Sequence, residues 1–174
     1  MLFYEIVVVF VIGSLLGWII EFFYRRIVSQ KKWGNPGFLK GPYLPLYGFG
    51  FSILYIVSNI KLPFNFYLSL IIKTISFSLF VILLELFSGL ILQKKFHLKL
   101  WDYSSRKFNY KGIICPLYSL YWILGGLIYL LVIHSFFQEM ISAINTFQLG
   151  YFFIGIIFGS IIIETLKITS KKIK

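Results

Sequence analysis

The sequence predicts an all-α protein, an integral membrane bundle of five transmembrane helices. Three observations carry that expectation. The chain is 59% hydrophobic and only 13% charged, with a mean hydropathy of +0.85, whereas a soluble domain is about half apolar and about a quarter charged. Its apolar residues gather into long runs, and a helix needs about 20 of them to cross a bilayer. The net charge is +11, and most of the basic residues gather in short segments that follow the first, third and fifth runs. Basic residues placed this way mark cytoplasmic loops, so no nucleic-acid partner is expected. The single cysteine, Cys115, excludes an intrachain disulfide framework, and no Cys/His spacing suits zinc.

The first run, Leu2–Tyr24, has no basic leader and no small-residue cleavage site, and it carries a glutamate. It reads as a retained helix rather than a signal peptide. The second, Tyr43–Ile60, is interrupted by Pro45, Gly48 and Gly50. It is expected to start late, with Pro45 in its first turn, where a missing N–H costs little. Phe66–Leu92, Ile113–Ile133 and Gly150–Ile168 complete the set.

Orientation follows from the loops. Arg25, Arg26, Lys31, Lys32 and Lys40 follow the first run, and Lys94, Lys95, Lys99, Arg106, Lys107 and Lys111 follow the third. Lys167, Lys171, Lys172 and Lys174 follow the fifth, while the other connections hold Lys61 and, from His134 to Gln148, no Lys or Arg. The N-terminus is therefore expected outside and the C-terminus in the cytoplasm, in a multi-pass protein of the cell membrane.

Two basic loops end in the same words. KGPYLPLY (Lys40–Tyr47) and KGIICPLY (Lys111–Tyr118) share K-G-x-x-x-P-L-Y. Glycine permits a tight turn, proline suits a helix start, and lysine and tyrosine belong at the interface. One reading is a re-entry turn used twice. The other adds an anion site, with helix-start amides and Lys40 or Lys111 supplying positive charge. Glu21 and Glu85 precede the two loops, and Asn35 and Asn109 lie within them. The chain thus reads as a single transmembrane domain, 1–174, built from parallel repeats at about 2–60 and 66–133, plus a fifth helix at about 150–168 that carries Glu164 near its end.

Helical spacing groups the acids with small residues. Gly13, Gly17, Glu21 and Arg25 recur every fourth position, and Gly155 and Gly159 precede Ser160 and Glu164. Thr74, Ser78, Glu85 and Gly89 share a comparable face. GxxxG pairs let helices approach closely. An ionised acid at the membrane centre costs about 2.5–3.5 kcal/mol. The acids either staple the bundle through Arg25, Lys167 or loop lysines, or line a polar vestibule near the cytoplasmic side. Such a vestibule would bind a cationic or zwitterionic group, or carry protons.

The second loop holds WDYSSRKFNYKG, Trp101–Gly112. Asp102 either caps a turn through Ser104 and Ser105 or pairs with the cation of a headgroup held by Trp101 and Tyr103. No catalytic constellation is recognisable. The candidate binding set is Glu21, Arg25, Asn35, Lys40, Tyr47, Glu85, Trp101, Asp102, Tyr103, Asn109, Lys111, Tyr118 and Glu164, with no metal site and no cofactor.

GWIIE (Gly17–Glu21), NPGFLKGPYLPLYG (Asn35–Gly48), the glutamate of ILLELFSG (Glu85), LWDYS (Leu100–Ser104) and NYKGIICPLYSLYW (Asn109–Trp122) together resemble the type IV ABC-transporter permeases, the CmpB-like membrane proteins. The resemblance runs through the fourth span and implies a small multispan permease. It also draws attention to Gly17, Trp18, Gly37, Gly41, Pro42, Pro45, Gly112, Pro116 and Trp122. The second elbow departs from the first, with Ile113 in place of Pro42 and Ser119 in place of Gly48.

No Walker loop G-x-x-x-x-G-K-[ST] occurs, so an ATPase would be a separate subunit. Five spans enclose little volume, so a path would need a homo-oligomer or a partner. Expected neighbours are membrane lipids with anionic headgroups. Three functions stand: a permease-like transport component with a carboxylate site, a lipid-headgroup-binding or lipid-modifying protein, and a non-catalytic membrane scaffold.

Overall fold

The computed structural model describes residues 2–27, 34–146 and 148–173. Lys31, Lys32 and Lys174 of the basic segments lie outside the described residues, as do the side chains of Lys171 and Lys172. Helices are the only regular elements among the described residues: α1 Leu2–Ile27, α2 Pro45–Asn59, α3 Phe66–Phe96, α4 Pro116–Ile128, α5 His134–Thr146 and α6 Gln148–Ile173. A π-helical turn, Tyr129–Ile133, joins α4 directly to α5. The chain divides into two compact units, Met1–Ser52 with Met140–Lys174, and Ile53–Glu139.

Among the described residues, four stretches are long and apolar enough to cross a membrane: Phe3–Ile27, Phe66–Phe96, Pro116–Ile144 and Gly150–Ser170. The run expected as a second span is shorter. Pro45 opens α2 and Asn59 closes it, so its 15 residues rise about 22 Å against a hydrocarbon core of about 30 Å. The fourth helix is longer than expected, because the π turn carries it past Ile133 into α5. Large apolar side chains such as Ile75, Phe87, Phe136, Phe153 and Leu166 face outward. Lipid is the natural cover for apolar side chains left exposed along helices of this length.

In the first unit, α1 packs on α6 and on the start of α2. Val8, Val9 and Val11 are fully buried, and the Phe10 ring meets Phe158 edge-on at 5.7 Å. Gly48 lets α2 come close to α1: a Cβ there would lie 2.2 Å from Ser14 Oγ and 2.7 Å from the Phe10 carbonyl. The Leu44 amide takes advantage of this approach and donates to the Ser14 carbonyl at 2.9 Å. Ser14 Oγ in turn bonds the Phe10 carbonyl at 2.7 Å, so no polar group of the contact is wasted.

In the second unit, α3 buries Phe77, Val81, Glu85 and Gly89, one residue per turn, and packs along α4. Asn65 caps the start of α3 through the Leu68 amide. His97, in the left-handed region at φ 52°, closes the other end, and both its amide and that of Leu98 reach the Leu92 carbonyl.

Candidate functional site

The first elbow is organised by one asparagine. Asn35 Oδ1 accepts from the Trp18 indole at 2.9 Å and from the Gly37 amide at 3.0 Å. Its Nδ2 donates to the Leu39 and Lys40 carbonyls at 2.8 and 3.1 Å. A single short amide thereby folds residues 35–41 back onto α1, the side-chain-to-backbone role for which asparagine is suited in loops.

Two acids meet this elbow. Glu21 Oε1 pairs with Arg25 Nε at 2.8 Å, one turn along α1, and Glu21 Oε2 accepts from the Tyr47 hydroxyl at 3.2 Å. The Glu21–Arg25 pair is the i, i+4 staple that the spacing allows. Glu164 does not pair with Lys167. Its Oε2 accepts from the Lys40 and Gly41 amides at 2.7 and 3.4 Å. These are loop amides, five and four residues before α2 opens at Pro45, rather than the helix-start amides that the sequence singled out, and they hold an anion from the chain itself.

The second elbow belongs to the other unit and works with other residues. Glu85 is 3% exposed, and its two oxygens accept from Tyr103 Oη at 3.0 Å and Trp122 Nε1 at 3.2 Å. Tyr118, the counterpart of Tyr47, stacks on Tyr103 with ring centroids 4.0 Å apart. Trp101 donates to the Ile113 carbonyl at 2.9 Å. Ile113 is fully buried and fills the notch over Gly89, where a Cβ would lie 2.3 Å away. Pro42, at the same place in the first elbow, is exposed.

Asn109 binds the Arg106 carbonyl at 2.8 Å through Nδ2, and its Oδ1 accepts from the Gly112 amide at 2.9 Å. Lys111 and Gly112 both have left-handed φ, 54° and 68°. The Lys111 ammonium lies over the Tyr110 ring, 5.2 Å from its centroid. Asp102 serves the turn. Its Oδ2 pairs with Lys99 at 2.7 Å, and its Oδ1 accepts from the Ser104 amide at 2.9 Å and from the Ser104 hydroxyl. Lys99 first, then Ser104, holds the Asp102 carboxyl well below the usual carboxylate range. Trp101 and Tyr103 flank Asp102 in sequence, but their polar atoms serve Ile113 and Glu85.

The elbows, their asparagines and the acids that meet them span almost the whole sequence, and so does one family. The sequence model of the family described as "Putative ABC-transporter type IV", CmpB type, matches residues 8–169. The chain belongs to this CmpB family. No curated protein and no solved structure matches it.

Within this CmpB-family chain, some polar residues escape the sequence reading. Lys73 lies inside the third apolar run, and its ammonium donates to the Ser58 carbonyl at 2.6 Å, in the last turn of short α2. A cation at a helix C-terminus satisfies free carbonyls and the dipole. His134 follows the π turn, with Nδ1 3.5 Å from the hydroxyl of fully buried Tyr129. A lone lysine in an apolar run is a signal that sequence alone offers; the π turn has none.

Proposed function

We propose that this chain is the membrane-spanning component of a transporter, with polar, carboxylate-containing stations at its basic-loop end. One observation carries the reading. Every acid set within an apolar helix beside a basic loop is met by donors from the elbow segments: Glu21 by Tyr47, Glu164 by the Lys40 and Gly41 amides, Glu85 by Tyr103 and Trp122. Family membership supports a transport role. The first unit then holds a station of Glu21, Arg25, Asn35, Lys40, Tyr47 and Glu164. The second holds one of Glu85, Trp101, Asp102, Tyr103, Asn109, Lys111 and Tyr118.

In this reading the basic loops lie in the cytoplasm, the N-terminus lies outside, and the two helix pairs are parallel repeats in a single domain of the cell membrane. Short α2 crosses with local thinning of the bilayer. ATP hydrolysis falls to a separate subunit that docks on the basic loops, anionic lipids surround those loops, and a homo-oligomer completes the path. The test is counterflow in proteoliposomes, with a panel of organic cations and zwitterions, for the wild type and for Glu85→Gln. Flux that falls in the variant while its fold survives supports the station. Flux that is absent throughout, or equal in both proteins, refutes it.

The first elbow favours a second reading, as a lipid-headgroup-binding protein, because its donors already hold an oxyanion.

A further inference from the structure

The first elbow has donors that are met from outside its own loop. Asn35 Oδ1 is committed to Trp18 and Gly37. The Lys40 and Gly41 amides are met instead by Glu164, which lies 124 and 123 residues away in sequence. The second elbow solves the same problem locally, since the Gly112 amide donates to Asn109 Oδ1 at 2.9 Å. The two loops share their K-G turn and differ in what fills it.

Two consecutive amides hold that filling, and the Lys40 side chain extends from the first of them. Lys40 is exposed. Among the described residues no carboxylate lies within 4 Å of its ammonium. The cradle is therefore only partly used by a carboxylate. An oxyanion with more oxygens would take the same amides and engage the ammonium as well.

We propose that the first elbow is a receptor for a phosphate group, and that Glu164 is the tethered anion that fills it until such a group arrives. The inference rests on the reading that the basic-loop end is the functional end, and it names the ligand class of the first station. Glu164 reaches the cradle by its side chain alone, so a rotamer change vacates it. The exposed elbow face admits either the phosphodiester of a membrane lipid or free phosphate.

The test is calorimetric titration of the full chain in phosphate-free detergent, with inorganic phosphate and, separately, with short-chain phosphatidylglycerol. Wild type, Glu164→Ala and the Glu164→Ala, Lys40→Ala double variant are compared. Removing a tethered competitor should tighten binding of at least one probe by about tenfold, and the Lys40 substitution should abolish the gain. A gain for phosphatidylglycerol alone identifies a headgroup; a gain for phosphate identifies the free ion. Unchanged affinity for both probes overturns the proposal, as does a gain that survives loss of Lys40. If Glu164→Ala does not fold, Glu164→Leu, which keeps similar bulk and has no acceptor oxygen, is judged by the same criterion. No flux enters this measurement, so failure to transport leaves it standing, and its failure leaves the transport reading to counterflow.

Discussion

Gly125 and Gly126 sit side by side on α4 and should respond oppositely to one added methyl group. A Cβ at Gly126 would lie 2.4 and 2.6 Å from Phe77 Cδ1 and Cε1, while a Cβ at Gly125 meets nothing within 4 Å. Phe77 is 1% exposed in the α3–α4 contact, so its ring has no free space into which to turn. Alanine gains about 1 kcal/mol of helix propensity over glycine at either site, and this gain cancels between the two variants. What remains is the overpacking term at Gly126, about 1–3 kcal/mol. The assay can use Cys115, the sole cysteine, which is buried just before α4. A thiol-reactive dye added during a thermal ramp in detergent reports when that region opens. Gly125→Ala should melt at or above the wild type, and Gly126→Ala clearly below Gly125→Ala. Equal melting of the two, or the reverse order, would refute the α3–α4 packing described here.

Other consequences can be checked alongside it. Tyr103→Phe and Trp122→Phe each remove a donor from the buried Glu85 carboxylate and should cost about 1–3 kcal/mol apiece. A double-mutant cycle on the same dye assay should show that the two costs do not add, since both act on one carboxylate; strict additivity would mean the bonds are not shared. Gly112→Ala forces a side chain into the left-handed region at φ 68° and against Ser104 Oγ and Asp102 Oδ1. It should lose about 1–2 kcal/mol from backbone strain alone, and wild-type melting would contradict the turn geometry. Asp102 has a folded pKa below its unfolded value, so its contribution is fully present above the ordinary aspartate pKa of about 3.9 and is lost as pH falls through the folded one. Carbon-13 NMR of its carboxyl should give a midpoint below that ordinary value. Lys99→Ala should move it up, and an unmoved midpoint would remove Lys99 as the main cause.

Much of the architecture was legible because partition into lipid depends on composition over about 20 residues, which is local and additive. That logic located the apolar runs and the late start of α2 at Pro45. It also paired Glu21 with Arg25, since i, i+4 neighbours on one helix need no tertiary information. The second run reads as a full span, but α2 opens at Pro45 and closes at Asn59, and its 15 residues are fewer than a span needs. The run after Ile133 was read as a connection because its polar residues hide a helix that the π turn continues.

The two GxxxG pairs show where sequence alone stops. Gly13 and Gly17 face Phe51 and Tyr47 at distances only glycine tolerates, whereas Gly155 and Gly159 meet nothing within 4 Å. The motif is identical, and its surroundings are opposite. Sequence determined which segments are apolar, where the elbows turn and which acids sit beside basic loops, because each of these depends on neighbours along the chain. Only the tertiary structure decided that Glu164 closes the first elbow and that Tyr103 and Trp122 hold Glu85. Those partners lie 18 to 124 residues apart, and a hydrogen bond depends on distance in space, which helix packing sets.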